Sequence, residues 1–302
     1  LCQGFTVNGD FRAIPDDMDP GQLGDFRDKL IYVHNPREPT VRAGGYKSAI
    51  DGLIIQNMRI KNAGGECVRL RWFVTYAEIR DSAITDCGKY VDGVLDSKNG
   101  EGIYIGTSNK QWGDGKNPQD IPDVCLGNRV MNNYIRTRGN EGIDVKEGSM
   151  NTWIEGNSIF MQLDPDSGGI GSRASFTTII DNHVEEATGA GVRLGGALAR
   201  GVQYGINNKV IGNRIKNCLN SGVKIMSGPQ DTICGNLITP PPGVDEADYK
   251  FSRGTFADDY DPMAACPGTE EPTSPPTAEP TSPPTAEPTN PSTAAPTTSP
   301  TA

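Results

Sequence analysis

"EGIDVK" (141–146) is one of six versions of a single pattern in this chain. The others are ECVRLR (66–71), EGIYIG (101–106), GGIGSR (168–173), AGVRLG (190–195) and SGVKIM (221–226). In most of them a small residue is followed by an apolar one, and the apolar residues then alternate with others. That is the period of a half-buried strand. Aligned, the six give two inward columns. One is Val68, Ile103, Ile143, Ile170, Val192, Val223; the other is Leu70, Ile105, Val145, Ser172, Leu194, Ile225.

A second ladder accompanies the first. The motif x-N-x-(I/V), with close variants, ends at Ile60, Ile84, Ile135, Ile159, Val184, Ile215 and Ile238, at spacings of 24, 51, 24, 25, 31 and 23. A period near two dozen, two short strands per period and Gly/Asn turns between them indicate a parallel β-solenoid. No coil buries its own apolar edge, so coils stack and their inward residues form a continuous stripe. Asn at one turn position in successive coils is placed to form a side-chain hydrogen-bond ladder. The 51-residue spacing is either two periods or one with a long insertion. A β-sandwich has no need of such a register.

The expected fold is therefore all-β, a parallel β-helix over 46–240. Residues 1–45 form an N-terminal cap or lead-in, and 241–266, acidic and aromatic (Tyr249, Phe251, Phe256, Tyr260), a C-terminal cap over an otherwise open sheet end. Residues 267–302 are a Pro/Thr-rich stalk built on the octapeptide EPTSPPTA; with nothing apolar to bury it is expected to be disordered and extended. The polar insertion 107–124, with Trp112, is placed to wall a groove on one face.

Composition bounds the function. Lys+Arg 28 against Asp+Glu 38 gives a formal charge of −10 and no basic cluster, which argues against nucleic acid. No apolar run is long enough to span a membrane. Seven cysteines without CxxC pairs, and only two histidines (His34, His183), argue against zinc. Scattered cysteines and the Pro/Thr stalk favour a secreted protein, extracellular or associated with a cell wall; a monomer is expected. The disulfide pairing is open. The chain begins at Leu1, leaving a removed signal peptide and a fragment both open.

The outward columns carry the chemistry. They read Glu66, Glu101, Glu141, Gly168, Ala190, Ser221; then Arg69, Tyr104, Asp144, Gly171, Arg193, Lys224; then Arg71, Gly106, Lys146, Arg173, Gly195, Met226. With coils about 4.8 Å apart, Glu101 stacks on Glu141 and Lys146 on Arg173. Like charges directly opposite one another are destabilising. A hard cation would relieve the first pair and a polyanion the second. Ordinary solvated Glu–Lys pairs across the face are the plain alternative.

This pattern resembles the secreted right-handed parallel β-helix proteins of the pectate-lyase-like superfamily, most of all the family-6 polysaccharide lyases (chondroitinase B and alginate lyases). In those enzymes a strand supplies a calcium-binding Glu, the catalytic Lys follows five residues later, and an Arg stands in the same column of the next coil. Glu141, Lys146 and Arg173 match, and Asn99 holds the place of a further ligand. The second Glu of the family falls on Gly139, so Glu101 or Asp144 stands in. The His following the family's Arg is Ala174 here.

The resemblance implies β-elimination on an acidic, uronate-containing polysaccharide. A Ca²⁺ held by Asn99, Glu101, Glu141 and Asp144 neutralises the uronate carboxylate. Lys146, its pKa lowered by Arg173 and the metal, takes the C5 proton, and Arg173 stabilises charge. Tyr104, Arg193, Arg71 and Trp112 are expected to bind substrate; Asp144 and Glu147 orient Lys146 or join the metal site, with solvent the favoured place for Glu147. Rival readings are a uronan C5-epimerase with Tyr104 as second proton carrier, a polygalacturonase-like hydrolase, and a non-catalytic carbohydrate- or wall-binding solenoid.

Overall fold

A computed structural model of the chain describes residues 2–9, 28–35, 40–42, 45–47, 50–89 and 100–267. Asn99 and, of the expected stalk, residues 268–302 lie outside the described residues.

Among the described residues, three sheets of eight strands each run along the domain, and every neighbouring pair within them is parallel. One coil contributes one strand to each, for example Glu78–Arg80, Ala83–Cys87 and Ile103–Ile105. The expectation of two strands per coil is thus corrected to three. The missed strands, such as Arg129–Met131 and Trp153–Glu155, are three residues long with one inward residue each (Val130, Ile154), too short to show alternation. The 51-residue interval is a single coil carrying insertions, because Ala83–Cys87 pairs directly with Tyr134–Thr137. The 31-residue interval accommodates a hairpin, Ala197–Ala199 with Val202–Tyr204.

The local causes are readable in the turns. Between the first and second sheets one residue per coil has positive φ: Asn57, Asp81, Asn132, Gly156, Asp181, Gly212 and Gly235. Asn, Asp and Gly are the residues that tolerate this conformation, which explains why they recur there. Beside that turn, Asn133, Asn157, Asn182, Asn213 and Asn236 form a continuous ladder, each Nδ2 donating to the next Oδ1 at 2.9–3.0 Å. All are buried, and each accepted bond also comes with a backbone N–H from the coil before.

The small residue of the EGIDVK pattern has a packing cause. A Cβ on Gly142 would lie 2.4 Å from Ile159 Cγ2, and one on Gly169 2.3 Å from Val184 Cγ1. The chain crosses here from the second sheet to the third, directly against the inward stripe. That stripe (Ile60, Ile84, Ile135, Ile159, Ile215) is fully buried, as are Ile103, Ile143, Ile170 and Val192 of the third sheet.

The ends are finished differently. Cys2–Gln3, Thr6–Asn8 and Ile31–His34 pair with the first full coil in the three sheets. At the other end Ser252–Arg253 adds a last strand to the third sheet, and Tyr249, Phe251, Phe256 and Tyr260 pack on the core. Disulfides join Cys67 to Cys87 and Cys234 to Cys266, while Cys125 and Cys218 are buried thiols. No helix among the described residues is long and apolar enough to cross a membrane.

Candidate functional site

The third sheet carries the site, and its register is the one the columns imply. Arg69, Tyr104, Asp144, Gly171, Arg193 and Lys224 are partners in succession. Above this face lies a pocket of about 370 Å³. Its floor is Glu101, Tyr104, Glu141, Lys146 and Arg173. Ser108, Lys110 and Gln111 of the insertion wall one side, and Asp164, Asp166 and Ser167 another.

Glu101, Glu141 and Asp144 converge: one carboxylate oxygen from each lies within 4.8 Å of the others, and all three are buried. Glu101 accepts from the Gly100 N–H at 3.0 Å and from Asn140 Nδ2 at 3.4 Å; Glu141 accepts from the Ser167 hydroxyl. Burial, and then the neighbouring carboxylates against the pull of Lys146, push Glu101 up to about 8. Burial and Asp144 push Glu141 up as well. These oxygen-only donors, with more negative charge than their surroundings satisfy, fit a hard divalent cation.

The cations meet on the other side of Asp144. Lys146 Nζ is in direct contact with Asp144 Oδ2, and Arg173 Nη2 is 3.6 Å from the same oxygen. Arg173 Nε is also 3.2 Å from Glu147 Oε1. Burial alone would lower the Lys146 pKa, yet Asp144, aided by Tyr104 and Glu141, outweighs burial and Arg173 and holds it above the ordinary lysine value. The expectation that Arg173 lowers this pKa is therefore corrected: Arg173 does oppose the charge, but Asp144 is closer. Arg173 is held up likewise, burial being outweighed by Asp144 and Glu147.

Tyr104 lies between two cations, with Arg69 Cζ 4.3 Å and Lys146 Nζ 4.5 Å from its ring centroid. Burial is the main reason its phenol is pushed up to about 12. Arg193 lines the pocket.

Three expected placements differ. Arg71 is buried beneath the insertion, donating to Asn117 Oδ1 at 2.7 Å and paired with Asp114 at 3.1 Å, so its guanidinium anchors the insertion. Trp112 is only 1% exposed; its Nε1 donates to the Thr107 carbonyl at 3.0 Å, and its ring meets Tyr204 edge-on with Arg200 5.3 Å above it. It clasps the insertion to the hairpin and offers no face to a sugar. Glu147, expected in solvent, is 1% exposed because the insertion covers it and Asn109 N–H donates to it at 3.2 Å.

The structure adds Arg69, Glu66, Asn140 and Ser167 to the site. Arg69 and Glu66, 2.8 Å apart, were visible in the outward columns. Asn140 and Ser167 precede the strands, where no column alignment reaches. His183 stands on the second sheet, 3.2 Å from Glu185.

Comparison with known proteins follows the same lines. The family description "Right handed beta helix region" matches residues 47–248. The structure of DFA-IIIase from Arthrobacter chlorophenolicus A6 in complex with DFA-III aligns with a TM-score of 0.50 and 14% identity, over 78% of this chain and 53% of that one. Alginate lyase from Paenibacillus sp. str. FPU-7 aligns with a TM-score of 0.47 and 16% identity, over 79% of this chain and 75% of that one. The chain thus spans about half the length of the DFA-IIIase, and at these identities the likeness concerns the fold. No curated protein matches by sequence. With its three stacked parallel sheets and a family match over most of its length, the chain belongs to the right-handed parallel β-helix family.

Proposed function

We propose that this protein is a secreted polysaccharide lyase that cleaves an acidic, uronate-containing chain by β-elimination. The observation that carries the reading is one cluster: three buried carboxylates within 4.8 Å of one another, with Lys146 and Arg173 sharing the oxygen of Asp144, and with Glu101, Glu141, Lys146 and Arg173 lining a pocket. Removing a proton next to a carboxylate requires that the negative charge be met, a base beside the proton, and an acid for the departing oxygen.

The chain supplies these roles. Glu101, Glu141 and Asp144 would hold a calcium ion, which supplies charge neutralisation for the uronate carboxylate. Arg173 is the fixed positive partner for the charge that develops on that group. Lys146 is the proton acceptor, and it acts only once the hold of Asp144 on its ammonium is loosened. Tyr104, protonated across the neutral range, stands beside Lys146 and is placed to give a proton to the leaving oxygen. Two disulfides suit an oxidising, extracellular setting.

A second reading is glycoside hydrolysis. It is favoured by Glu101, whose carboxyl burial pushes up to about 8 within reach of a second carboxyl, Glu141, since such reactions use a pair of carboxyl groups.

Alginate, pectate and chondroitin or dermatan sulfate, each with calcium and with chelator, separate the readings. A lyase makes unsaturated ends that absorb in the ultraviolet, and that signal is expected to vanish in Lys146→Ala. Reducing ends without absorbance indicate the hydrolase. A changed uronate composition without new ends indicates an epimerase. No change on any of these polymers refutes the catalytic reading.

A further inference from the structure

Beyond the pocket, the central outward column of the third sheet continues with one kind of charge. Arg193 is in register with Lys224, and Lys224 with Arg253. Parallel strands lie about 4.8 Å apart, so three cations leave the same face in three successive coils, beginning with Arg193 on the pocket wall. Stacked like charges destabilise a sheet, and their hydrogen-bond partners here are neutral. Lys224 Nζ donates to the Asp166 carbonyl at 3.4 Å and Arg253 Nη1 to Asn220 Oδ1 at 3.0 Å. Among the described residues, none of the three forms an ion pair with a carboxylate. Asp164 and Asp166 flank the row from the neighbouring loop and offset part of its charge. The repulsion is nonetheless felt. Burial and then Arg173 lower the Arg193 pKa, and burial and then Arg193 and Arg253 lower that of Lys224.

The row is one-sided. On the other side of Tyr104 the same column holds Arg69 and Tyr32, and Arg69 is already paired with Glu66 at 2.8 Å. The unpaired cations therefore run only from the pocket toward the C-terminal coils, on a chain of net charge −10. A pyranose ring with its linkage advances a polysaccharide by roughly one coil spacing, so a chain lying along the solenoid axis presents about one acidic group to each coil.

We propose that Arg193, Lys224 and Arg253 form a one-sided cationic track that binds successive acidic groups of a polyanionic polysaccharide whose neighbouring unit occupies the pocket. This rests on the acidic-polysaccharide reading above and adds to it a direction and a length. The bound chain extends toward the C-terminal end, and affinity grows with chain length until Arg253 is reached.

The test is calorimetric titration of alginate- and pectate-derived oligouronates, dimer to hexamer, into Lys146→Ala protein, with and without Lys224→Gln and Arg253→Gln. Each added substitution is expected to weaken hexamer binding about three- to tenfold, leave dimer binding unchanged, and make the salt dependence shallower. Arg253→Lys should recover most of the loss, and thermal unfolding checks that the variants stay folded. Hexamer affinity unchanged in the double track variant overturns the proposal, even if the wild type generates unsaturated ends and the lyase reading stands. Hexamer binding lost in that variant supports the track even if the wild type generates no such ends. No uronate binding to the otherwise unaltered protein overturns both.

Discussion

Glu101 makes stability depend on pH and on a cation in a direction that can be worked out. Its carboxyl sits at about 8 instead of the ordinary 4.5 because it is buried and shares its space with Glu141, Glu66 and Asp144. The folded state therefore keeps a proton that the unfolded state has lost, throughout the window between those values. Where the folded state binds more protons, stability falls as pH rises. The gap from 4.5 to about 8 corresponds to about 5 kcal/mol at full ionisation, and Glu141, displaced the same way, shares in it. In a domain of this size each kcal/mol moves Tm by about 2–4 °C, so the chelated protein should lose about 10 °C between pH 5 and pH 8.5.

Calcium should reverse this. A cation that binds the ionised carboxylates stabilises the folded state by mass action, so in saturating calcium the pH 5–8.5 profile should be nearly flat. Differential scanning calorimetry or fluorescence-monitored melting reads both profiles. Glu101→Gln keeps the shape and removes the charge. It should raise Tm at pH 8.5 in chelator, leave pH 5 almost unchanged, and blunt the calcium response. A flat profile in chelator refutes the placement of Glu101 among unrelieved carboxylates. A calcium response undiminished in Glu101→Gln and Glu141→Gln places the cation elsewhere.

Further outcomes follow from other parts of the fold. If the lyase reading holds, Lys146→Gln should lower kcat on the cleaved polymer by about two to four orders of magnitude with little change in KM, measured from ultraviolet-absorbing ends. Gly142→Ala drives a methyl into Ile159 and should destabilise by about 1–3 kcal/mol in urea unfolding. Asn182→Ala removes a buried rung that donates to Ile154 O and Asn213 Oδ1 and accepts from Asn157 N–H; a loss of about 2–4 kcal/mol is expected in the same assay. Arg200→Ala breaks an exposed pair with Asp120 and should change stability by less than about 1 kcal/mol.

The columns were legible because a solenoid turns sequence period into spatial adjacency. Aligning EGIYIG with EGIDVK is enough to put Tyr104 beside Asp144 and Glu101 beside Glu141. What the alignment does not contain is anything perpendicular to the sheet. The insertion folds over the ends of two coils and takes Arg71, Trp112 and Glu147 out of solvent, and no repeat encodes where a non-repeating segment lands. The pKa of Lys146 escapes the columns for a related reason. Column logic pairs it with Arg173 in the next coil, whereas the closest charge is Asp144, two residues away on its own strand. On a strand those two side chains share a face, and the acid reaches the amine before the neighbouring coil does.

The same stacking explains how so much charge persists on three short strands. Ile103, Ile105, Ile143 and Val145 are fully buried on the inner side of the strands that present Glu101, Asp144 and Lys146. Burying each such side chain contributes about 1.5–3 kcal/mol, so the four together exceed the few kcal/mol by which Glu101 opposes folding. Asp144 and Lys146 flank Val145 in the chain, and Gly142, tight against Ile159, fixes where their strand begins. The carboxylates cannot separate without pulling these residues from the stripe. Their repulsion is thus not relaxed by movement of the backbone. It remains to be relieved by protonation, as at Glu101, or by a bound cation, and a site held in this state is preorganised for the charge that it receives.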